Sequence, residues 1–173
     1  MLIEKAELKD LESIMKIEYE SFDTDIAENE KIFKKRIKNF SDGFYIIKIK
    51  NEVIGYICSE LWEYEENLNI EKFELNHSMD KFHKMNGTEL YISSFGLLKN
   101  YRKKGFGKVL FDVLMNRITQ KYDIKSVVLI VSEKWEAAKK IYIDHGFENI
   151  KVLNDFFNDE EDGIIMRKKL NIV

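Results

Sequence analysis

Proline is absent from all 173 residues, and cysteine occurs once, at Cys58. A single thiol cannot close an internal disulfide, and no Cys/His spacing resembles a zinc ligand set. Neither a disulfide scaffold nor a metal site is expected. No apolar run approaches the roughly 20 residues needed to cross a bilayer. The start, Met1-Leu2-Ile3-Glu4-Lys5, lacks the charged-then-apolar plan of a signal peptide. The expectation is a cytoplasmic protein with no membrane partner. Basic excess is missing too: the formal net charge is −3, which argues against a general nucleic-acid binder. What is present describes an ordinary globular chain, 45% hydrophobic and 34% charged. Its length suits one domain, residues 1–173, able to bury a substantial core.

Periodicity sets the order of elements. Residues 2–6 read as a short strand. Leu11, Ile14, Met15, Glu18 and Phe22 then fall at three- and four-residue steps, the spacing of a helix with one mostly apolar face. Ile32, Phe33, Ile37 and Phe40 carry a second helix, ended by Ser41-Asp42-Gly43. Two β-rich runs, 44–50 and 53–62, flank Asn51-Glu52 and predict an antiparallel hairpin. Gly55 inside the second run marks a bulge or a close backbone approach. Residues 63–88 are acidic and too long for an ordinary connection, which makes them either partly helical or a functional loop. A strand over 89–98, a helix over 109–121, an apolar strand over 126–131 and a helical stripe from Trp135 to His145 follow. Two last strands, 147–154 and 163–170, are expected around an acidic loop at 155–162. The order βααββ–loop–βαβαββ predicts an α/β fold with a mixed sheet.

One stretch stands apart, Arg102-Lys103-Lys104-Gly105-Phe106-Gly107-Lys108. Two glycines follow three cations where a strand hands over to a helix. Glycine lets a ligand approach the backbone closely. The unpaired N–H groups of a first helical turn attract an anion. The stretch reads as a phosphate or pyrophosphate seat. It is not a P-loop, because Gly107-Lys108 is followed by Val109 rather than a hydroxyl residue. Nor is it a dinucleotide fingerprint, because the third small residue is replaced by Leu110.

The remaining pattern, R-x-x-G-x-G directly after a strand, resembles the acetyl-coenzyme A signature of the GNAT superfamily of N-acetyltransferases. Residues 137–147 look like that family's A-x-x-x-Y-x-x-x-G-F segment. Residues 162–170 look like the terminal strand of the ribosomal-protein N-terminal acetyltransferase branch. The resemblance implies a GNAT fold: a central, mostly antiparallel mixed sheet with a splayed strand pair, flanked by about four helices. It also implies acetyl-coenzyme A as co-substrate. The pyrophosphate would lie on 104–108, with Arg102, Lys103, Lys104, Gly105, Phe106, Gly107 and Lys108 around it. The pantetheine arm would run along the main chain of Phe95, Gly96 and Leu97.

Acetyl transfer to an amine needs a neutral nucleophile and a proton for the departing thiolate. Tyr142 matches the family's acid position, although its helical stripe would equally make it a core aromatic. Glu89, at the start of the central strand, is the first candidate base and His83 the second. Both residue types at such places are commonly just solvated. Ser93 and Ser94 are read as space-filling. Ile130 and Trp135 stand where the family often has a glutamate and an asparagine. That departure keeps open a rival reading, an acyl-coenzyme A-binding sensor without turnover. A general nucleotide binder is the third reading. The leading expectation is direct attack by a primary amine in a ternary complex. The acidic stretch 63–80 favours a small-molecule amine slightly over a protein N-terminus or lysine. A homodimer is left open as an assembly.

Overall fold

Alternation along one long hairpin divides the molecule into two sides. Strands β2 (Phe44–Ile49) and β3 (Glu52–Trp62) are joined by Lys50 and Asn51, whose φ angles of 49° and 69° are both left-handed. A two-residue turn of that kind matches the twist of the flanking strands. The turn therefore sits one residue before the expected Asn51-Glu52, and Glu52 already pairs with Ile49. Along β3, Tyr56, Cys58 and Glu60 face helices α1 (Leu11–Ser21) and α2 (Glu30–Asn39), meeting Glu18 and Arg36. On the other side Arg117 lies 5.0 Å from the ring centre of Tyr45, the cross-strand neighbour of Ile57. Arg117 belongs to α4 (Phe106–Lys121), so α4 covers the opposite face.

The computed structural model describes residues 1–170, and the last three residues of the expected 1–173 unit lie outside them. The seven strands run in the order β1-β2-β3-β4-β5-β7-β6. The others are β1 (Leu2–Lys5), β4 (Glu89–Leu97), β5 (Ser126–Ser132), β6 (Glu148–Asn158) and β7 (Glu161–Lys169). All pairs are antiparallel except β4–β5. The one-turn α3 (Met79–Phe82) and α5 (Glu136–Asp144) complete five helices, where about four were expected.

The acidic loop expected at 155–162 is largely strand. Glu161 pairs with Asn158, leaving only Asp159 and Glu160 as a turn. Its carboxylate is buried and accepts from Ser132 and from Asn158, while Phe157 packs on Trp135 at 4.7 Å. Paired carboxylates do not force a loop. The 63–88 connection is partly helical, one of its two expected readings, with turns at Ile70–Phe73 and Met79–Phe82. Phe73 and Met79 are buried, and Trp62 stacks on Tyr91 at 3.9 Å with Phe73 edge-on at 5.2 Å.

Two bulges shape the sheet. Between Ile47↔Gly55 and Lys48↔Val53, Ile54 is the extra residue beside Gly55. A Cβ on Gly55 would lie 2.3 Å from Leu97, so the expected close approach is real. Between Cys58↔Ser94 and Ser59↔Ile92, Ser93 is the extra residue in β4. A bulge bends and twists its strand. The β4–β5 pairing stops at Tyr91↔Val128, just before that bulge, and the two strands splay beyond it.

Candidate active site

A cleft of about 760 Å³ opens where β4 and β5 part. Because it passes through the sheet, it receives side chains from both faces. Glu18 enters from α1 on one side and Tyr142 from α5 on the other. Phe95, Gly96 and Leu97 of β4 form one edge, with Ile130 of β5 opposite.

At one end lies the glycine turn. Lys103 and Gly105 both have positive φ, 58° and 86°, which folds the backbone tightly before α4. Gly105 is the N-cap and provides no side-chain cap. The N–H groups of Phe106, Gly107 and Lys108 thus keep the orphan status that favours an anion. Gly107 is buried in that first turn: a Cβ there would lie 3.3 Å from both Phe95 and Ile141. Its lack of a side chain lets α4 press against β4 and α5.

The expected donor-side residues divide. Arg102, Lys103, Gly105, Gly107 and Lys108 line the cleft with 95–97. Lys104 and Phe106 do not. Lys104 turns its ammonium over the Tyr101 ring at 5.8 Å, and Phe106 packs beside that ring at 6.1 Å. Arg102 lines the cleft, yet its guanidinium is already engaged. It donates to the Leu97 carbonyl at 2.9 Å and to Ser21 Oγ at 3.1 Å, bracing the end of β4 against α1.

Tyr142 is buried, with Phe111 and Phe147 at 6.0 and 5.7 Å. Burial alone raises its phenol well above the ordinary range, so it holds its proton at neutral pH. It is a core aromatic and a cleft residue at once.

Glu89 is not in the cleft. It sits at the paired end of β4, opposite Ser126, buried and ion-paired with Arg167 at 2.8 and 2.9 Å. Ser126 Oγ donates to it at 2.7 Å. Its carboxylate is fully used in joining β4, β5 and β7, which corrects its selection as candidate base. His83 is likewise occupied, accepting the Leu61 N–H at 3.0 Å and packing on Phe40, and burial lowers its pKa.

A carboxylate that does line the cleft, between the parted strands and α1, is Glu18, 1% exposed. It accepts from the Tyr56 hydroxyl, from Ser94 Oγ at 3.3 Å and from the Glu28 N–H at 2.8 Å. Burial pushes its pKa up to about 7, offset in part by the Tyr56 and Glu28 hydrogen bonds. Ser94 is therefore a polar partner rather than a space-filler. The sequence held one signal for Glu18: it is a charge within the apolar stripe of α1. Trp135 caps the cleft rim between Phe22 at 5.1 Å and Phe157 at 4.7 Å. Among the described residues, no His/Cys/Asp/Glu group could hold a metal.

A parted sheet, an uncapped helix start and opposed protonatable groups make a site for acyl transfer from an extended, anionic donor. A profile of the acetyltransferase (GNAT) family matches residues 8–147, and the chain belongs to that family. It is an acyltransferase with acetyl-coenzyme A as co-substrate. A curated relative named N-alpha-acetyltransferase, from Sulfurisphaera tokodaii, is 28% identical, covering 97% of this chain and 92% of that one. The GphF GNAT-like decarboxylase, solved with isobutyryl-CoA, has a TM-score of 0.83 at 14% identity, covering 99% of this chain and all of that one. Arabidopsis thaliana Naa50, solved with the bisubstrate analogue CoA-Ac-MVNAL, gives 0.73 at 18% identity, covering 98% of each. No helix among the described residues is long and apolar enough to cross a membrane.

Proposed function

We propose that the chain, acting as one domain over residues 1–173, acetylates the α-amino group of a peptide by direct attack in a ternary complex. The observation that carries this is Glu18, a buried carboxylate lining the cleft and titrating near neutrality. A general base works best when it titrates near the operating pH, and an α-ammonium, at about 7.7–8.0, gives up its proton there more readily than a lysine ammonium, at about 10.4. The name of the curated relative points the same way.

The preference for a small-molecule amine loses its support. Three of the carboxylates in the acidic stretch that suggested it are paired elsewhere: Glu65 with Lys72, Glu66 with Lys169, Asp80 with Lys35. Of that stretch only Leu75 lines the cleft.

Acetyl-coenzyme A supplies the activated thioester. The amides of Phe106 to Lys108, with Lys103 and Lys108, hold its pyrophosphate. The main chain of Phe95 to Leu97 runs beside its arm. Glu18 takes the amine proton, directly or through a water, and Tyr142 Oη gives its proton to the leaving sulfur.

Thiol release with a peptide bearing only a free α-amine, compared with an N-blocked peptide bearing only lysine, tests the assignment. Turnover confined to the α-amine is expected. Turnover confined to lysine or to small alkylamines overturns it.

A further inference from the structure

The connection between β3 and β4 reaches back to the cleft, and the way it is fastened there has a consequence for the acceptor. We propose that this connection is the specificity wall of the acceptor side, with Leu75 selecting an apolar first side chain. The proposal rests on the α-amino peptide reading above.

Leu75 is half-buried and lines the cleft, as do Ile26 and Tyr91. The residues after it are stitched to the α1–α2 connection. The Asn76 N–H donates to Glu28 Oε2 at 2.9 Å. Asn76 Oδ1 accepts from the Asn29 N–H and side-chain amide at 3.0 and 3.1 Å. Asn76 stands at φ 60°, a left-handed conformation that asparagine tolerates better than most residues. His77 then hydrogen-bonds Glu60 at 3.0 Å, and Arg36 lies between Glu60 and Glu28. Leu75 is thus presented by a fastened segment, not by a free loop.

The wall is apolar in effect. Glu28 also lines the cleft, but Arg36 grips its carboxylate at 2.8 and 3.1 Å and the Asn76 amide takes more of it. Its charge is spent within the protein, so it offers no free anion to a basic first residue. The half-buried Leu75 is the apolar side chain that this segment adds to the cleft, whose lining also includes Ile26 and Tyr91. An apolar pocket discriminates by roughly tenfold or more per methylene-sized difference.

The test uses peptides that begin with Leu, Gly or Lys and are otherwise identical, together with leucinamide and glycinamide. The wild-type chain is expected to favour Leu over Gly by about tenfold or more in kcat/KM, with Lys no better than Gly. Leu75→Ala and Leu75→Gln should each bring the Leu:Gly ratio to within about threefold, at unchanged KM for acetyl-coenzyme A. Asn76→Gly keeps the left-handed backbone accessible and removes only the side-chain ties. It should lower the ratio through acceptor KM while kcat holds, which general loosening of the fold would not do. A wild-type chain with no preference, or a ratio untouched in both Leu75 variants, overturns the wall. If the amides are acetylated and the peptides are not, the peptide reading fails, while the amide ratio still decides the wall. If neither is acetylated, both fall.

Discussion

On the proposed reading, the two halves of the cleft recognise their ligands by different means. The donor half is made of backbone: the end of β4, a glycine turn and the uncapped start of α4, all within residues 95–108. The acceptor half is made of side chains drawn from distant segments, with Glu18 and Glu28 tied by hydrogen bonds to Ser94 and to the Asn76 amide next to Leu75, and Tyr91 on the central strand. Recognition by amides needs glycine at fixed offsets and leaves a contiguous mark in the sequence. Recognition by side chains depends on tertiary contacts and leaves none. The halves should therefore fail separately, donor KM with one and turnover with the other.

The largest expected effect breaks the acceptor half. Glu18→Gln removes the base but keeps the shape. We expect kcat to fall about 10³-fold, within the range for a lost general base, with KM for acetyl-coenzyme A within about twofold. Steady-state kinetics with varied donor checks this, and a kcat within about threefold of wild type removes Glu18 from the reaction. The same substitution has a signature in stability. The Glu18 carboxyl titrates near 4.5 when unfolded and near 7 when folded. Between those values the folded state keeps a proton that the unfolded chain has lost. Burial of neutral Glu18 therefore stabilises fully below about pH 4.5, and that contribution is lost as pH rises through about 7. Denaturation curves of wild type and Glu18→Gln should diverge across this window by up to about 3 kcal/mol, with wild type losing more.

Glu89 sharpens the contrast from outside both halves. It belongs to the paired end of the sheet, where Arg167 and Ser126 consume its carboxylate. Removing one partner of such a buried pair costs about 3–5 kcal/mol. Glu89→Gln should lower the midpoint of chemical denaturation accordingly. At temperatures where the variant is folded, turnover per folded molecule should stay within about twofold of wild type. A variant that is stable but inactive would return Glu89 to the list of bases.

These expectations show how far the sequence could be read. Element order and the glycine turn were legible because periodicity and glycine are local signals, whereas the splay was implied only by the family resemblance. Glu89 was misread because its partner, Arg167, lies 78 residues away, and a strand-end carboxylate looks the same whether solvated or paired. Glu18 was visible only as a charge in an apolar stripe. Its role needs Tyr56, Ser94 and the Glu28 amide, and no spacing rule announces those. The hairpin turn was misplaced by one residue, since Lys50 as well as Asn51 adopts a left-handed conformation. At 155–162 the acidity was taken for solvation, whereas Glu161 is buried against Ser132 and Asn158.

The smallest effect probes the donor half alone. Gly105 has φ +86°, and a Cβ built there meets nothing within 4 Å. Gly105→Ala therefore introduces no clash, and its whole cost is conformational, about 1–2 kcal/mol for a left-handed alanine. Two responses are open to the chain. If the turn holds its shape, stability drops by about that amount and donor KM barely moves. If the turn relaxes instead, the amides of Phe106 to Lys108 lose their alignment, and KM for acetyl-coenzyme A rises about fivefold with stability nearly unchanged. The two losses should trade against each other, because the same strain is either stored or released. In neither case should acceptor KM or the Leu:Gly ratio respond, since Gly105 shares no hydrogen bond with Glu18 or with the segment around Leu75 among the described residues. A change in acceptor selectivity from this substitution would show that the two halves are mechanically joined, with the Arg102 brace from Leu97 to Ser21 on α1 as the connection to test next.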